Sequence, residues 1–143
     1  MPEKVMLTVD AVVFVNVNRE FHVLLVKRKT EPFRGKYALP GGFVEENETV
    51  ENAAVRELLE ETGLSGISLK KFDTYSNPGR DPRGRTVTVT FVGMADSDKI
   101  SPKAGDEVES VELFPVNRLP PLAFDHEQII ADTLIYLRIY PKL

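Results

Sequence analysis

The stretch GFVEENETVENAAVRELLEETGL, residues Gly42 to Leu64, is the most specific feature of the chain. It fits the pattern G-x5-E-x7-R-E-U-x-E-E-x-G-U, where U is an aliphatic residue, at every defined position: Gly42, Glu48, Arg56, Glu57, Leu58, Glu60, Glu61, Gly63 and Leu64. With average residue usage, so many matches at one starting point arise by chance on the order of one time in 10⁹. The segment is therefore a defined motif and not a chance match.

Acidic residues are concentrated in this same segment. Between Glu45 and Glu61, seven carboxylates accompany a single cation, Arg56, so the local charge is −6. The whole chain has a net charge of −4, which leaves +2 for the remaining residues. This balance argues against a protein that binds duplex DNA by covering its phosphates with Lys and Arg. A small phosphorylated ligand stays compatible with it.

Length and composition narrow the class of protein. A chain of 143 residues can bury a hydrophobic core without disulfides or a structural metal, so we expect one domain over residues 1–143. The absence of cysteine excludes disulfides and Cys-based zinc sites. No charged leader precedes an apolar run, and no segment approaches the roughly 20 apolar residues that span a bilayer. We therefore expect a soluble cytoplasmic protein that has no membrane partner.

Residue patterns predict an α/β protein. Enrichment in β-branched and aromatic residues predicts strands over residues 5–17, 21–28, 67–76, 86–94 and 111–114. Repeated Pro and Gly in residues 30–42 exclude a regular element of any length there. A helix is predicted over residues 49–62, with Thr49 as its N-cap and Gly63 as its left-handed end. A final helix is predicted to begin behind Asp125.

Three glutamates of the first helix indicate a metal site. Glu57, Glu60 and Glu61 lie three and four residues apart, so their carboxylates share about one helix face. Each pair, at roughly 6 Å and an effective dielectric near 20, repels by about 3 kcal/mol. The alternative, a solvated acidic face, normally carries Lys or Arg at the i+4 positions, and these glutamates have none there. Carboxylate oxygens without Cys or clustered His select Mg²⁺ or Mn²⁺, and metal-assisted phosphoryl transfer to water is the expected chemistry.

The segment Gly42 to Leu64 resembles the Nudix box of the Nudix hydrolase family. The resemblance implies an α/β/α sandwich around a central mixed β-sheet, with the box forming a loop-helix-loop catalytic unit. It also implies hydrolysis of a nucleoside diphosphate linked to another group, with a divalent metal.

The resemblance assigns roles by position in the box. Glu57, Glu60 and Glu61 match the metal-binding glutamates, and Glu48 matches the outer glutamate of the box. Arg56 matches the arginine that holds the carboxylates in orientation. Gly41 and Gly42 match the turn whose backbone approaches the metal and the phosphate. Both glycines are assigned to substrate binding, and Gly41 is also assigned to the metal site. For these two glycines a tight turn alone is an equally supported alternative.

Segments outside the box resemble the ADP-ribose pyrophosphatase branch of the family: PFRGKYALPGGFVE, YSNPGRDPRGR, KAGDE and LAFDHEQII, with Pro78 at the distance from the box that this branch shows. The resemblance implies Mg²⁺-dependent cleavage of ADP-ribose to AMP and ribose 5-phosphate, with Mn²⁺ as a substitute. It places Arg80, Arg83 and Arg85 near the substrate, and arginine has the fork geometry that phosphate recognition needs. An exposed hairpin loop without ligand contacts is the alternative for this segment.

Further candidates complete the expected site. The resemblance to this branch also implies a carboxylate from a loop after the box, for which Asp106, Glu107 and Glu109 are the candidates and Glu107 is preferred. For Glu107 an exposed turn residue is the alternative. Arg28 is a phosphate candidate at the end of the second strand. His126 is expected to have a structural or edge-of-site role, and His22 a structural one. Adenine could stack on an aromatic ring, the candidates being Phe33, Tyr37 and Phe124.

Two further activities share the box: hydrolysis of modified nucleoside triphosphates, and hydrolysis of other nucleoside diphosphate conjugates. The loop containing Pro78 favours ADP-ribose over both. A different class is a non-catalytic ADP-ribose sensor joined to a DNA-binding module. The intact box and the short segment after Phe124 oppose it. The resemblance also implies a homodimer, and the expected partner is a small nucleotide substrate.

Overall fold

The structure is a computed structural model that describes residues 4–97 and 101–139. Its elements in chain order are β1 (Met6–Val17), β2 (Glu20–Arg28), β3 (Tyr37–Ala38), β4 (Gly41–Phe43), α1 (Val50–Thr62), β5 (Lys70–Tyr75), β6 (Thr86–Asp96), β7 (Val108–Pro115) and α2 (His126–Leu137).

The seven strands of the described residues form one mixed sheet. Its main order is β3-β2-β1-β6-β5, while β4 pairs with β1 and β7 pairs with β2. β1 and β6 run parallel from Met6 opposite Thr86 to Asn16 opposite Asp96, and the other pairings are antiparallel. β1 is therefore the strand around which the sheet is organised.

Each face of the sheet is covered by a helix. On one face, Val12 and Phe14 of β1 belong to the same buried cluster as Ile129 and Ile130 of α2. On the other, Ala11, Val13 and Val15 cluster with Leu58 of α1. Successive strand residues point to opposite faces, so this alternation places one helix on each side. The predicted α/β/α sandwich with a central mixed sheet is confirmed.

The predicted signals at both ends of the first helix are confirmed. Thr49 Oγ1 accepts a hydrogen bond from the Asn52 amide at 3.1 Å, which satisfies a free N–H of the first turn. Gly63 ends α1 with φ 75°, and its N–H donates to the Leu59 carbonyl. Leu64 follows and packs in the buried cluster of Leu58.

Several boundaries differ from the predictions. Within residues 30–42 two short strands form, because β3 pairs with β2 and β4 pairs with β1. Residues 67–69 precede β5, and β7 is longer than predicted. Asp125 is the N-cap of α2, but its side chain makes no capping hydrogen bond. No helix among residues 4–97 and 101–139 is long and apolar enough to cross a membrane.

Candidate active site

A cleft of about 680 Å³ opens where the acidic face of α1 meets β1, β4 and the N-terminus of α2. The structure brings most of the predicted site residues to its walls: Arg28, Gly41, Gly42, Arg56, Glu57, Glu60, Glu61, Arg80, Arg83 and Glu107. These residues come from five separate segments of the chain. The cleft combines a carboxylate cluster with several guanidinium groups.

Among the predicted arginines, Arg85 does not line this cleft. Its carbonyl accepts a hydrogen bond from the Met6 amide at 2.9 Å, at the start of the β1–β6 pairing. The residue is therefore tied to the beginning of the sheet rather than to the loop that faces the cleft.

Arg56 connects the carboxylates of the box. Its guanidinium binds Glu48 through two hydrogen bonds of 2.6 and 2.9 Å. The same group donates to Glu57 at 2.9 Å and to Glu60 at 3.1 Å, and it also contacts the Phe43 carbonyl at 3.0 Å. The hydrogen bonds to Glu48 and then Glu57 raise the pKa of Arg56, and the arginine lowers the pKa of Glu48 to about 2. One cation thus offsets the repulsion that the glutamate spacing implies.

Glu61 is held separately, at the deep end of the cluster. Its Oε1 accepts a hydrogen bond from the Gly41 amide at 2.8 Å. Burial raises the pKa of Glu61 to about 8, against the lowering effect of that hydrogen bond, and the charges of Glu57, Asp10 and Glu107 add to the rise. Burial likewise raises the pKa of Glu57, with Arg56 opposing it. The charged forms of these two carboxylates therefore lack full compensation from the protein.

The two glycines of β4 allow this close packing. A Cβ at position 42 would stand 2.6 Å from the carboxylate carbon of Glu57. A Cβ at position 41 would overlap the Val9 carbonyl oxygen and stand 2.5 Å from Asp10 Oδ1. Close packing against the Glu57 carboxylate at position 42, and against the Val9 backbone and the Asp10 carboxylate at position 41, thus explains both glycines. Their contact with a metal or a phosphate stays a prediction.

The donor set of the cluster fits a hard divalent cation. Within residues 4–97 and 101–139, no three acidic or imidazole groups already surround a position for a metal ion. The contacts described above engage one oxygen each of Glu57, Glu60 and Glu61, which turns these carboxylates toward Arg56 and Gly41. Mg²⁺ commonly uses one or two carboxylates and completes its shell with water and phosphate. A closed protein cage is therefore not required.

The arginines of the loop between β5 and β6 have different environments. Arg80 is buried and makes a two-point contact with Asp125, at 2.6 and 2.8 Å. Its fork is occupied and its side chain is only 5% exposed, and the two together do not favour the predicted role as a direct diphosphate ligand. Arg83 makes a similar two-point contact with buried Asp81, at 2.8 and 3.1 Å, but its side chain is about one-third exposed and still faces the cleft. Its guanidinium also lies 4.9 Å from the centre of the Phe43 ring.

Arg28 and Arg83 form the positive part of the cleft. Both guanidinium carbons lie near the Phe124 ring, at 5.0 and 5.4 Å from its centre. Burial, followed by the charge of Arg83, lowers the pKa of Arg28. Two cations placed on one ring repel each other, so an anion between them would be stabilised.

Asp10 lines the cleft and was not identified as a site residue from the sequence. Asp10 of β1 is 7% exposed and accepts a hydrogen bond from the Thr88 hydroxyl at 2.6 Å. His126 lies with Nε2 3.5 Å from Asp10 Oδ1, and its Nδ1 accepts from the Leu39 amide at 3.0 Å. The available signal was a lone charged residue inside the Val-rich segment of β1. His126, for which a structural or edge-of-site role is expected, lines the cleft.

The aromatic candidates separate by position. Among Phe33, Tyr37 and Phe124, the cleft lining includes Phe124 alone, together with the unpredicted Phe43. Phe33 packs edge-on against Phe124, and the Tyr37 hydroxyl donates to Glu112. His22, predicted to be structural, contacts the Glu20 carbonyl through Nδ1 at 3.0 Å. Phe43 and Phe124 therefore supply the aromatic surface of the cleft.

Comparison with known proteins gives a consistent family. The NUDIX domain pattern matches residues 6–133. The chain is 48% identical, over 116 residues, to the ADP-ribose pyrophosphatase of Methanocaldococcus jannaschii, covering 81% of this chain and 68% of that protein. It is 33% identical to an ADPR-responsive transcriptional repressor of Acinetobacter baylyi, covering 87% of this chain and 51% of the repressor.

A solved structure gives the same result. The NUDIX domain of Shewanella oneidensis NrtR, crystallised with ADP ribose, superposes with a TM-score of 0.89 at 34% identity. The match covers 94% of this chain and 90% of that domain. The sequence, the fold and the intact box agree, and the chain therefore belongs to the Nudix family of pyrophosphohydrolases.

Proposed function

We propose that the protein hydrolyses the diphosphate of ADP-ribose to AMP and ribose 5-phosphate, with Mg²⁺ bound by Glu57, Glu60 and Glu61. The observation that supports this most directly is the placement of the carboxylate cluster and the Arg28–Arg83 pair in one cleft. A diphosphate carries negative charge that the arginines can neutralise, while the carboxylates can hold a cation beside it. The Methanocaldococcus jannaschii relative supports ADP-ribose as the substrate.

The residues of the cleft have distinct roles in the proposed hydrolysis. Water adds to one phosphorus, the bond from that phosphorus to the bridging oxygen breaks, and that oxygen leaves with the other phosphate. When bound, the divalent cation would polarise a phosphoryl oxygen and increase the acidity of water. Arg28 and Arg83 bind the diphosphate, and Arg56 holds Glu57 and Glu60 in position. Glu107 accepts the proton of the attacking water.

The test is incubation with Mg²⁺ and a panel of ADP-ribose, 8-oxo-dGTP, a diadenosine polyphosphate and NADH, with products identified by chromatography. We expect AMP and ribose 5-phosphate to form fastest from ADP-ribose. Preferential hydrolysis of 8-oxo-dGTP would contradict the substrate assignment. Replacement of Mg²⁺ by Mn²⁺ is expected to preserve the products.

A non-catalytic sensor is the second candidate function. The similarity to an ADPR-responsive repressor and to a NUDIX domain crystallised with ADP ribose supports it. Saturable ADP-ribose binding without any turnover in Mg²⁺ or Mn²⁺ would identify a sensor. The intact acidic cluster favours the enzyme.

A homodimer stays a prediction of the family resemblance. Light scattering of the purified protein decides it, because a dimer has twice the 16.1 kDa mass of one chain. A monomer with full activity would show that one chain contains a complete site.

A further inference from the structure

Residues 101–107, which we name the docking segment, lie against the C-terminal end of α1. The Lys103 amide donates to the Thr62 carbonyl at 2.7 Å, and the Gly105 amide donates to the Glu61 carbonyl at 3.2 Å. The last carbonyls of an α-helix have no partner inside the helix. Backbone groups from a distant part of the chain therefore complete the end of the helix that carries the acidic cluster.

Gly105 is the point of closest approach. A Cβ at this position would overlap the Glu60 carbonyl oxygen and stand 3.1 Å from the Glu60 carbonyl carbon. Gly105 is not among the glycines with a left-handed backbone, so other residues could adopt its conformation. The lack of a side chain, rather than backbone freedom, is what this position requires.

The docking segment ends at a site residue. Glu107 lines the cleft with Glu57, Glu60 and Glu61, and its charge contributes to the raised pKa of Glu57 and of Glu61. On its other side, the segment is held by Lys29, whose Nζ donates to the Asp106 carbonyl at 3.0 Å. Only Asp106 separates Gly105 from Glu107, so displacement of Gly105 also moves Glu107.

We propose that Gly105 is a positioning residue, which lets the docking segment pack against α1 and thereby holds the Glu107 carboxylate beside Glu57 and Glu61. Larger residues would push the segment off the Glu60 carbonyl and withdraw Glu107 from the cluster. The catalytic consequence rests on the proposed function, whereas the docking and its effect on cation binding do not.

The experiment compares Gly105→Ala, Glu107→Gln and the double variant with the wild type. Hydrogen exchange is followed in peptides that cover the docking segment, and Mn²⁺ alone is titrated and detected by electron paramagnetic resonance. We expect Gly105→Ala to accelerate exchange in the docking segment about tenfold while β1 and α2 keep their rates. Each single variant should weaken Mn²⁺ binding about tenfold, and the double variant should be no weaker than either single one.

Turnover of ADP-ribose provides a second comparison of the two single variants with the double variant. Both single variants should lower kcat by about 10²-fold with a KM change below about threefold, and their effects should again not multiply. Lys103→Ala is the matched control from the same segment. It keeps the amide that contacts Thr62, so exchange, Mn²⁺ binding and kcat should match the wild type.

Two results would overturn the proposal: wild-type exchange and Mn²⁺ binding in Gly105→Ala, or effects of Gly105→Ala and Glu107→Gln that multiply in the double variant. If Gly105→Ala does not fold, Lys29→Met replaces it, since it loosens the docking segment without adding a Cβ; exchange at the wild-type rate would then count against the proposal. Failure of the proposed function would give a different result from failure of this proposal. The wild type would leave ADP-ribose intact, while the exchange and Mn²⁺ pattern would persist.

Discussion

At the scale of single residues, Arg56 controls the geometry of the acidic cluster. Its guanidinium contacts Glu48, Glu57 and Glu60 at 2.6 to 3.1 Å, which needs a planar group with several donors in fixed directions. Lysine keeps the charge but lacks that fork. A lysine at position 56 therefore tests whether the acidic cluster needs only a positive charge there or also the fork geometry of arginine.

We predict that Arg56→Lys lowers kcat by about tenfold or more, because Glu57 and Glu60 lose their shared donor. Steady-state kinetics with ADP-ribose measure the effect. Arg118→Lys is the control, since Arg118 is largely exposed and its contact with Glu20 is 3.5 Å. Equal activity of the two variants would show that charge alone is sufficient at position 56.

Glu61 gives a pH-dependent prediction for the metal-free protein. Its pKa is raised to about 8 in the fold, whereas an unfolded chain has the ordinary value of 4.5. Between these values the folded state holds a proton that the unfolded state has released, so stability falls as pH rises from about 5 to 8. The loss from this one group is up to about 4 kcal/mol, and metal binding should oppose it because it favours the ionised carboxylate.

Urea denaturation with EDTA at pH 5.5 and pH 8 measures this loss. Glu61→Gln removes the titrating group and keeps an oxygen that can accept from the Gly41 amide, so its stability should change less with pH. The variant should also lose most of the stabilisation by Mg²⁺ at pH 8. Parallel pH profiles for the wild type and the variant would exclude Glu61 as the source.

Sequence reasoning identified the motif glutamates and Arg56 because their spacing is local and fixed by the helix. It did not identify Asp10, since nothing within β1 shows which residue the sheet register places opposite Gly41. It also assigned one role to three arginines. Their separate roles depend on acidic partners at 81 and 125 and on rings at 43 and 124, which only the tertiary structure specifies.

At the scale of elements, the N-terminus of α2 is joined to the loop between β5 and β6. Asp125 is placed as the N-cap, as the sequence indicated, but its carboxylate contacts Arg80 instead of the helix amides. Burial acts to lower the pKa of Arg80, and the hydrogen bonds that Arg80 donates to Asp125 raise it on balance. The pair joins the loop that carries Arg83 to the helix turn beside Phe124.

We predict that Arg80→Met destabilises the protein by about 3 kcal/mol, because it leaves a partly buried carboxylate without its partner. Urea denaturation measures the change, and KM for ADP-ribose should rise as Arg83 and Phe124 lose their fixed separation. The double variant Arg80→Met/Asp125→Leu should recover part of the stability, since no unpaired charge remains. Additive losses in the double variant would show that the two side chains act independently.

At the scale of the whole molecule, the architecture could be predicted because the residue patterns of the strands and helices and the resemblance of the box both indicate an α/β fold. The short strands β3 and β4 could not, since a run rich in Pro and Gly forms them only by pairing with β2 and β1. The site is assembled in the same way. The sheet brings together segments that are distant in sequence, so the cleft is a property of the fold rather than of the box.

Ligand binding should therefore stabilise the whole molecule. A ligand at 100 times its Kd adds about 2.7 kcal/mol to stability, which for a domain of this size raises Tm by roughly 10 °C. We predict a shift of this order with Mg²⁺ and a non-hydrolysable ADP-ribose analogue, measured by calorimetry. Arg83→Met should lose most of the shift that the nucleotide produces, because the Arg83 guanidinium lies near the Phe43 and Phe124 rings and lines the cleft. Lys70→Met, on the exposed end of β5, is the control and should keep the full shift, whereas equal shifts in both variants would place the nucleotide outside this cleft.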